Sequence, residues 1–167
     1  MAFSVTDFKS NAIQRGGYRP TLFEVDVTYA GSQFGFLCAA TATPAYTMGV
    51  IEVPYFGRKV KIAGDRTYAE WTTTLMMEEN DDVRSNLEQW SMDINYGDSN
   101  VRLLTGEEYK QNATVKLFDK QGTIIRRYSL EGCWPTDVGV INLDWNTTDT
   151  IATYEVTWAF DYMNEGF

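Results

Sequence analysis

Ala152, Tyr154, Val156, Trp158, Phe160 and Tyr162 fall on one side of the run from 152 to 162, and Thr153, Glu155, Thr157, Ala159 and Asp161 fall on the other. Side chains repeating with a period of two share a face only on an extended backbone, because a helix would scatter them around its axis. The run predicts one long strand with a dry face and a polar face. Residues 22–29 repeat the pattern, with Phe23, Val25, Val27 and Tyr29 set against Glu24, Asp26 and Thr28. Phe34, Phe36 and Cys38 continue it after Ala30–Gly31–Ser32, which reads as a hairpin turn. In "GDRTYAEWTTTLMM", 64–77, Trp71, Thr73, Leu75 and Met77 alternate with Glu70, Thr72, Thr74 and Met76. That segment is a strand from Tyr68 to Met77, with Ala63–Gly64–Asp65 as its turn and Arg66 placed to pair with an acid there. Further strands are predicted at 50–55, 58–63, 112–119, 123–131 and 139–145, with turns at "DKQG" (119–122) and "NTTD" (146–149).

One segment has the helical period instead. Val83, Leu87, Trp90 and Ile94 recur at helix spacing behind Asp81 and Asp82, with Asn80 as the expected N-cap and an end near Tyr96–Gly97. A polar loop is expected from Asp98 to Gln111. The fold class is therefore all-β, a mainly antiparallel sandwich or barrel, with one flanking amphipathic helix over 80–96. The 167 residues make one domain able to bury roughly 70% of its unfolded surface, with residues 1–18 expected to be loosely ordered or docked on a partner.

Composition removes most chemistry. The chain has no histidine, so Ser-His and Cys-His nucleophile pairs and His-containing zinc sites are excluded. Cys38 and Cys133 lie in apolar strand-like runs and are expected as buried free thiols. The net charge of −9 gives no general affinity for phosphates or anionic lipid, and only Arg58–Lys59–Lys61 and Arg126–Arg127 offer short basic runs. "DINYGDSN", 93–100, starts like a calcium loop but has Asp98 where the sixth position needs glycine and Leu104 where the twelfth needs glutamate. The acidic run Glu78, Glu79, Asp81, Asp82 suits the positive end of a helix better than a metal. Carboxylates suited to glycoside chemistry lie on open polar faces, and GxSxG, P-loop, GxGxxG and CxxC motifs are missing. No catalytic, cofactor or metal residues are assigned. "MAFSVTDFKSNAIQRGG" has no apolar h-region, so neither a secretory leader nor use of the Asn112 and Asn146 sequons is expected, and no run reaches the roughly 18 apolar residues of a membrane span.

What exceeds expectation is apolar, glycine-containing sequence with almost no charge. "ATATPAYTMGVIEVPYFG", 40–57, carries Pro44, Tyr46, Met48, Val53, Pro54, Tyr55 and Phe56; "EGCWPTDVGVINLDW", 131–145, bends at Trp134–Pro135. One domain cannot readily bury both as well as the strand faces above, so they are candidate contact surfaces for a partner. The alternative is that both simply complete a large sandwich core.

Three stretches carry a resemblance: "RPTLFEVDVTY" (19–29), "FGRKVKIAGDRTYAEWT" (56–72) and "GCWPTDVGVINLDWNTTDTIATYEVTWAFDYM" (132–163). In content, order and spacing they resemble the tail tube proteins of contractile-tailed bacteriophages over nearly the whole chain, with residues 95–112 fitting least. That family is similar to the inner-tube protein of type VI secretion. The resemblance implies a structural virion protein whose six copies close into rings. The rings stack into a tube inside the tail sheath, meet baseplate and tail-terminator proteins, and pass DNA without binding it specifically. It further implies a place in the virion tail, after assembly in the host cytoplasm and without a membrane anchor. Glu24, Asp26, Glu155 and Asp161 are the candidates for an acidic channel lining. The rivals are a secretion-type tube protein, a paralogue at the baseplate or terminator, and, with five Trp and ten Tyr, a carbohydrate-binding sandwich; neighbouring genes and a glycan array separate them.

Overall fold

The computed structural model describes residues 4–11, 16–104 and 107–166. The elements run α1 (Val5–Asn11), β1 (Phe23–Val27), α2 (Phe34–Leu37), β2 (Cys38–Thr41), β3 (Tyr46–Tyr55), β4 (Arg58–Tyr68), β5 (Trp71–Met76), α3 (Asp82–Ile94), β6 (Gln111–Phe118), β7 (Ile124–Val138), β8 (Thr153–Ala159) and β9 (Tyr162–Gly166). Seven strands form one antiparallel sheet in the order β1-β6-β7-β8-β5-β2, with β9 also pairing β7; β3 and β4 make a separate hairpin. Fifteen residues long, β7 belongs to two layers. Its first part pairs β6 and β9, and Trp134–Val138 pairs β8.

The two layers share one core. Val25, Val27, Val115 and Leu130 enter from one side, and Trp71, Leu75, Val156 and Trp158 from the other; all are buried. Period-two alternation thus does in β1, β5 and β8 what it dictates, one face inward and one outward. The helix α3 lays Val83, Leu87 and Trp90 on this core. Trp158 lies 5.9 Å from each of Trp71, Trp90 and Phe34, ring centre to ring centre. Buried indole N–H groups need acceptors: Trp158 donates to Thr73 Oγ1 at 3.0 Å, Trp90 to the Tyr109 carbonyl at 2.9 Å, and Trp71 to Thr41 Oγ1 and the Ala42 carbonyl. Cys38 and Cys133 are buried free thiols, as expected.

Several local expectations are corrected. The run 152–162 is not one strand: it breaks at Phe160–Asp161 and resumes as β9 in the other layer. Asp161 N–H bonds the Glu131 carbonyl, its carboxylate pairs with Lys110 at 2.7 Å, and Met163 replaces Tyr162 as the inward residue. Gly132 permits this corner, having φ +67° and no room for a Cβ beside the Asp161 carboxylate. Phe34 to Cys38 does not extend a hairpin from β1. Phe34–Leu37 is a helical turn sending Phe34 inward and Phe36 outward, and β2 then pairs β5. A Cβ on Gly35 would lie 2.6 Å from the Val25 carbonyl oxygen, so only glycine lets this turn approach β1 so closely. Ala63–Gly64–Asp65 is not a turn; β4 runs through it, Gly64 facing Gly49 at a bulge. Arg66 lies over the Tyr46 ring at 4.3 Å instead of pairing with an acid. Asp81, at φ +56°, and not Asn80, occupies the cap of α3. Residues 139–145 form no strand. Of the N-terminal arm, residues 5–11 are the helix α1, while 1–3 and 12–15 lie outside the described residues.

Candidate assembly surfaces

The expected apolar stretch 40–57 divides between β2, a linker and β3, and the partner of β3 is β4. The hairpin turns at Phe56–Gly57, with φ +44° and +79°, the positive values a two-residue turn between right-twisted strands requires. Its register puts Ile51 opposite Ile62, Val53 opposite Val60 and Tyr55 opposite Arg58 on one face; Glu52–Lys61 and Pro54–Lys59 lie on the other. The first face is apolar and open: Ile51, Val53, Val60 and Ile62 are 44–54% exposed, Tyr55 66% and Phe56 91%. A two-stranded ribbon of this kind is marginal in water without a third layer.

Of the nine candidate contact residues, Tyr46, Met48, Val53, Pro54, Tyr55 and Phe56 are exposed on this hairpin, whereas Pro44 and Pro135 are buried in the body and Trp134 is half-buried edge-on to Tyr109. The sequence reading missed Ile51, Val60 and Ile62, although the Phe-Gly turn fixes the register that groups them. In the candidate stretch 131–145 the exposed large apolar residues are Val140, Leu143 and Trp145, at 79–102%, where the reading singled out Trp134 and Pro135; Ile151, 66% exposed, lies beyond that stretch.

The hairpin also differs in charge. Residues 46–68 hold Arg58, Lys59, Lys61 and Arg66 against Glu52 and Asp65, a net +2 in a chain of net −9, which leaves −11 elsewhere.

The candidate lining acids are all exposed but do not share a face. Glu24 and Asp26 project from β1, beside Lys116 and Arg127; Glu24 is bound to Lys116 at 2.9 Å. Glu155 projects from the opposite layer, where the register sets it among Thr72, Thr74, Thr153, Thr157 and Asp137 with no Lys or Arg at these positions. Asp161 sits at the β8–β9 corner, paired with Lys110. Two strands of that layer have an open side: among the described pairings, β2 meets only β5, and Trp134–Val138 of β7 meets only β8.

Among the described residues no three His, Cys, Asp or Glu side chains are grouped to hold a metal ion. Asp93, the first residue of the calcium-like stretch, instead accepts hydrogen bonds from Gln89 and Tyr29. Burial pushes the Cys38 thiol up to about 11 and Cys133 up to about 12, so neither is a thiolate nucleophile near neutral pH. Tyr154 and Trp158 are buried, which removes the aromatic row a sugar-binding face would need. No described helix is long and apolar enough to cross a membrane.

Comparison with known proteins agrees on one family. The family model described as phage tail tube protein matches residues 3–165. Tail tube protein gp19 of Enterobacteria phage T4 is 39% identical over 161 residues, spanning 93% of this chain and 97% of the relative. The tail tube protein of Serratia phage KSP90 is 26% identical over 90% of each. The fold matches the sheath-tube complex of an extracellular contractile injection system in its extended state, at TM-score 0.66, 17% identity and 99% coverage of both chains.

Proposed function

This chain belongs to the phage tail tube protein family, and from that premise we propose that it is the structural, non-catalytic subunit of the inner tube of a contractile phage tail. Six copies close into a ring, rings stack, and the channel conducts DNA during ejection. The observation that carries this is the β3–β4 hairpin: an apolar face on an element that the body of its own chain leaves uncovered, which other copies would cover.

The open side of β2 and the open side of β7 at 134–138 are different surfaces, so joining one to the other is a heterologous contact. It closes into a ring when the rotation permits. Such a ring continues the β7-β8-β5-β2 layer from copy to copy and leaves no exposed edge. Its outer face, with Thr72, Thr74, Thr157, Asp137 and Glu155, supplies the channel wall. Hydroxyls and carboxylates without cations give a polyanion nothing to grip, and the repulsion reaches only about 8 Å at physiological salt. The Glu24 and Asp26 face, with Lys116 and Arg127 among its charges, turns away from the DNA. Outside the tube lies the sheath, with baseplate and terminator proteins at its ends; assembly takes place in the host cytoplasm. The 39% identity to a phage tail tube protein favours this placement over a secretion tube.

Negative-stain microscopy of purified protein tests the proposal. Tyr55→Asp is expected to leave a folded monomer that forms no tubes, and tubes of normal length from this variant contradict it.

A further inference from the structure

The pairing of β7 stops at Val138, but its sequence pattern does not. Ile141 and Leu143 alternate with Asn142 and Asp144, and no turn intervenes before Trp145–Asn146. Gly139 still belongs to the sheet: its N–H donates to the Glu155 carbonyl at 2.7 Å, and its own carbonyl accepts from Arg84 at 3.2 Å. Beyond it the ladder gives out. Among the described hydrogen bonds, none uses the backbone of Val140, Ile141, Asn142 or Leu143. Ile141 packs on the core, whereas Val140 and Leu143 are 79% and 88% exposed. Backbone N–H groups alternate sides along an extended chain. Because Gly139 points its N–H at β8, those of Val140 and Asn142 point to the open side of the layer.

The edge that matches this run is β2. Across the layer Val138 pairs with Val156, Val156 with Thr73 and Thr73 with Thr41, the last residue of β2. Since β2 runs antiparallel to β5, its open side starts level with Val138 and extends past it, where Cys38 lies opposite Leu75. The part of β7 before Val138 has no counterpart on that edge at the same level. Ahead of Cys38 comes α2, with Phe36 86% exposed.

We propose that 139–143 is a latent strand, which forms by pairing antiparallel with the open side of β2 in the neighbouring copy of the ring. An exposed edge binds an extended segment through main-chain hydrogen bonds. The occupant is a second copy of this chain because each copy brings one unpaired run and one unpaired edge, and because the run continues β7, whose open side is one half of the ring joint. Joined without slip, Val138 sits beside Thr41 and 140–143 pass along Cys38 and α2, so that Leu143 and Phe36 cover one another. This rests on the tube reading and deepens it: ring closure is coupled to folding of the segment. Part of the contact energy goes into ordering 139–143, and an isolated copy keeps its edge incomplete.

Asn142→Pro in the full chain removes an N–H that has no partner in the isolated copy and gains one in the joint. It is expected to keep the urea midpoint of the parent and lose tubes, while Asn142→Ala keeps both; parental tubes from Asn142→Pro overturn the inference. Hydrogen exchange on the parent chain decides independently of any variant. Amides of 140–143 should exchange freely in the monomer and be protected in tubes. Free exchange in tubes overturns the inference, while the tubes themselves leave the family role intact. The register is read by oxidising F36C/L143C tubes, both native thiols being buried. Covalent multimers that stop at the size of one ring, absent from either single variant, are expected. Intact tubes whose subunits stay unlinked, or a ladder that runs past one ring, would contradict the pairing with β2.

Discussion

Phe56 sits where an aromatic residue has no local reason to be. Its φ of +44° lies in the left-handed region, which a bulky side chain occupies at a cost of about 1–2 kcal/mol and asparagine occupies with ease. Its ring is 91% exposed and touches only Tyr55, edge-on at 4.6 Å, among the ring contacts of the described residues. Phe56→Asn should therefore leave the monomer as stable as the parent or up to about 1 kcal/mol more so, since it relieves the turn and gives up almost no burial. Assembly should respond in the opposite direction. Covering a phenylalanine side chain is worth about 1.5–3 kcal/mol, so each contact loses about tenfold to 150-fold in affinity. That loss recurs in every subunit of a ring. Urea titration of the monomer, set beside the concentration at which tubes first sediment, separates the two effects. A variant that gains monomer stability and loses tubes fits the account; an unchanged tube threshold refutes the role given to Phe56.

Trp158→Ala should act through the fold instead. It deletes a fully buried indole and strands Thr73 Oγ1, costing about 3–5 kcal/mol of unfolding free energy in urea titrations before assembly is considered. Glu155→Lys should leave tube length unchanged in micrographs but slow DNA ejection, most at low salt, since it places a cation on the proposed channel wall. Gly139→Ala should loosen the β7–β8 junction, because its Cβ would lie 2.5 Å from the Glu155 carbonyl oxygen; thermal melting should register the loss. Alkaline pH should weaken the fold through its thiols. Below their ordinary value of 9.0 both states hold the protons and stability is whole. Above it the unfolded chain ionises first, and stability falls as pH climbs toward the folded values of about 11 for Cys38 and about 12 for Cys133. Urea titrations from pH 8 to pH 11 should show this loss, and a Cys133→Ser variant should show less of it.

Strands whose alternating face meets the core were legible from sequence alone, as in β1, β5 and β8, because the side-chain period and the burial period coincide. The stretch 139–145 alternates Ile141 and Leu143 with Asn142 and Asp144 just as convincingly, yet it forms no strand and leaves Leu143 and Trp145 in solvent. Periodicity reports that a face is apolar; it does not say whether the cover comes from the same chain. The hairpin shows the same limit. Its apolar composition was visible, but the face formed by Ile51 with Ile62 and Val53 with Val60 exists only once the Phe56–Gly57 turn fixes the register. The break at Asp161 depends on Gly132 and Lys110, far away in sequence, and no local signal announced it. The candidate lining residues failed to share a face for a related reason: Glu24 and Glu155 each mark the outer side of a strand, but their layers back onto one core and point apart.

The most direct test is a cryo-electron microscopy reconstruction of tubes assembled from this chain. The account predicts six subunits per ring, the β7-β8-β5-β2 layer continuous around the channel with Thr72, Thr74 and Glu155 on its wall, and the apolar face of the hairpin covered by another copy. A channel lined by Lys116 and Arg127, or a hairpin projecting free into solvent, would contradict it.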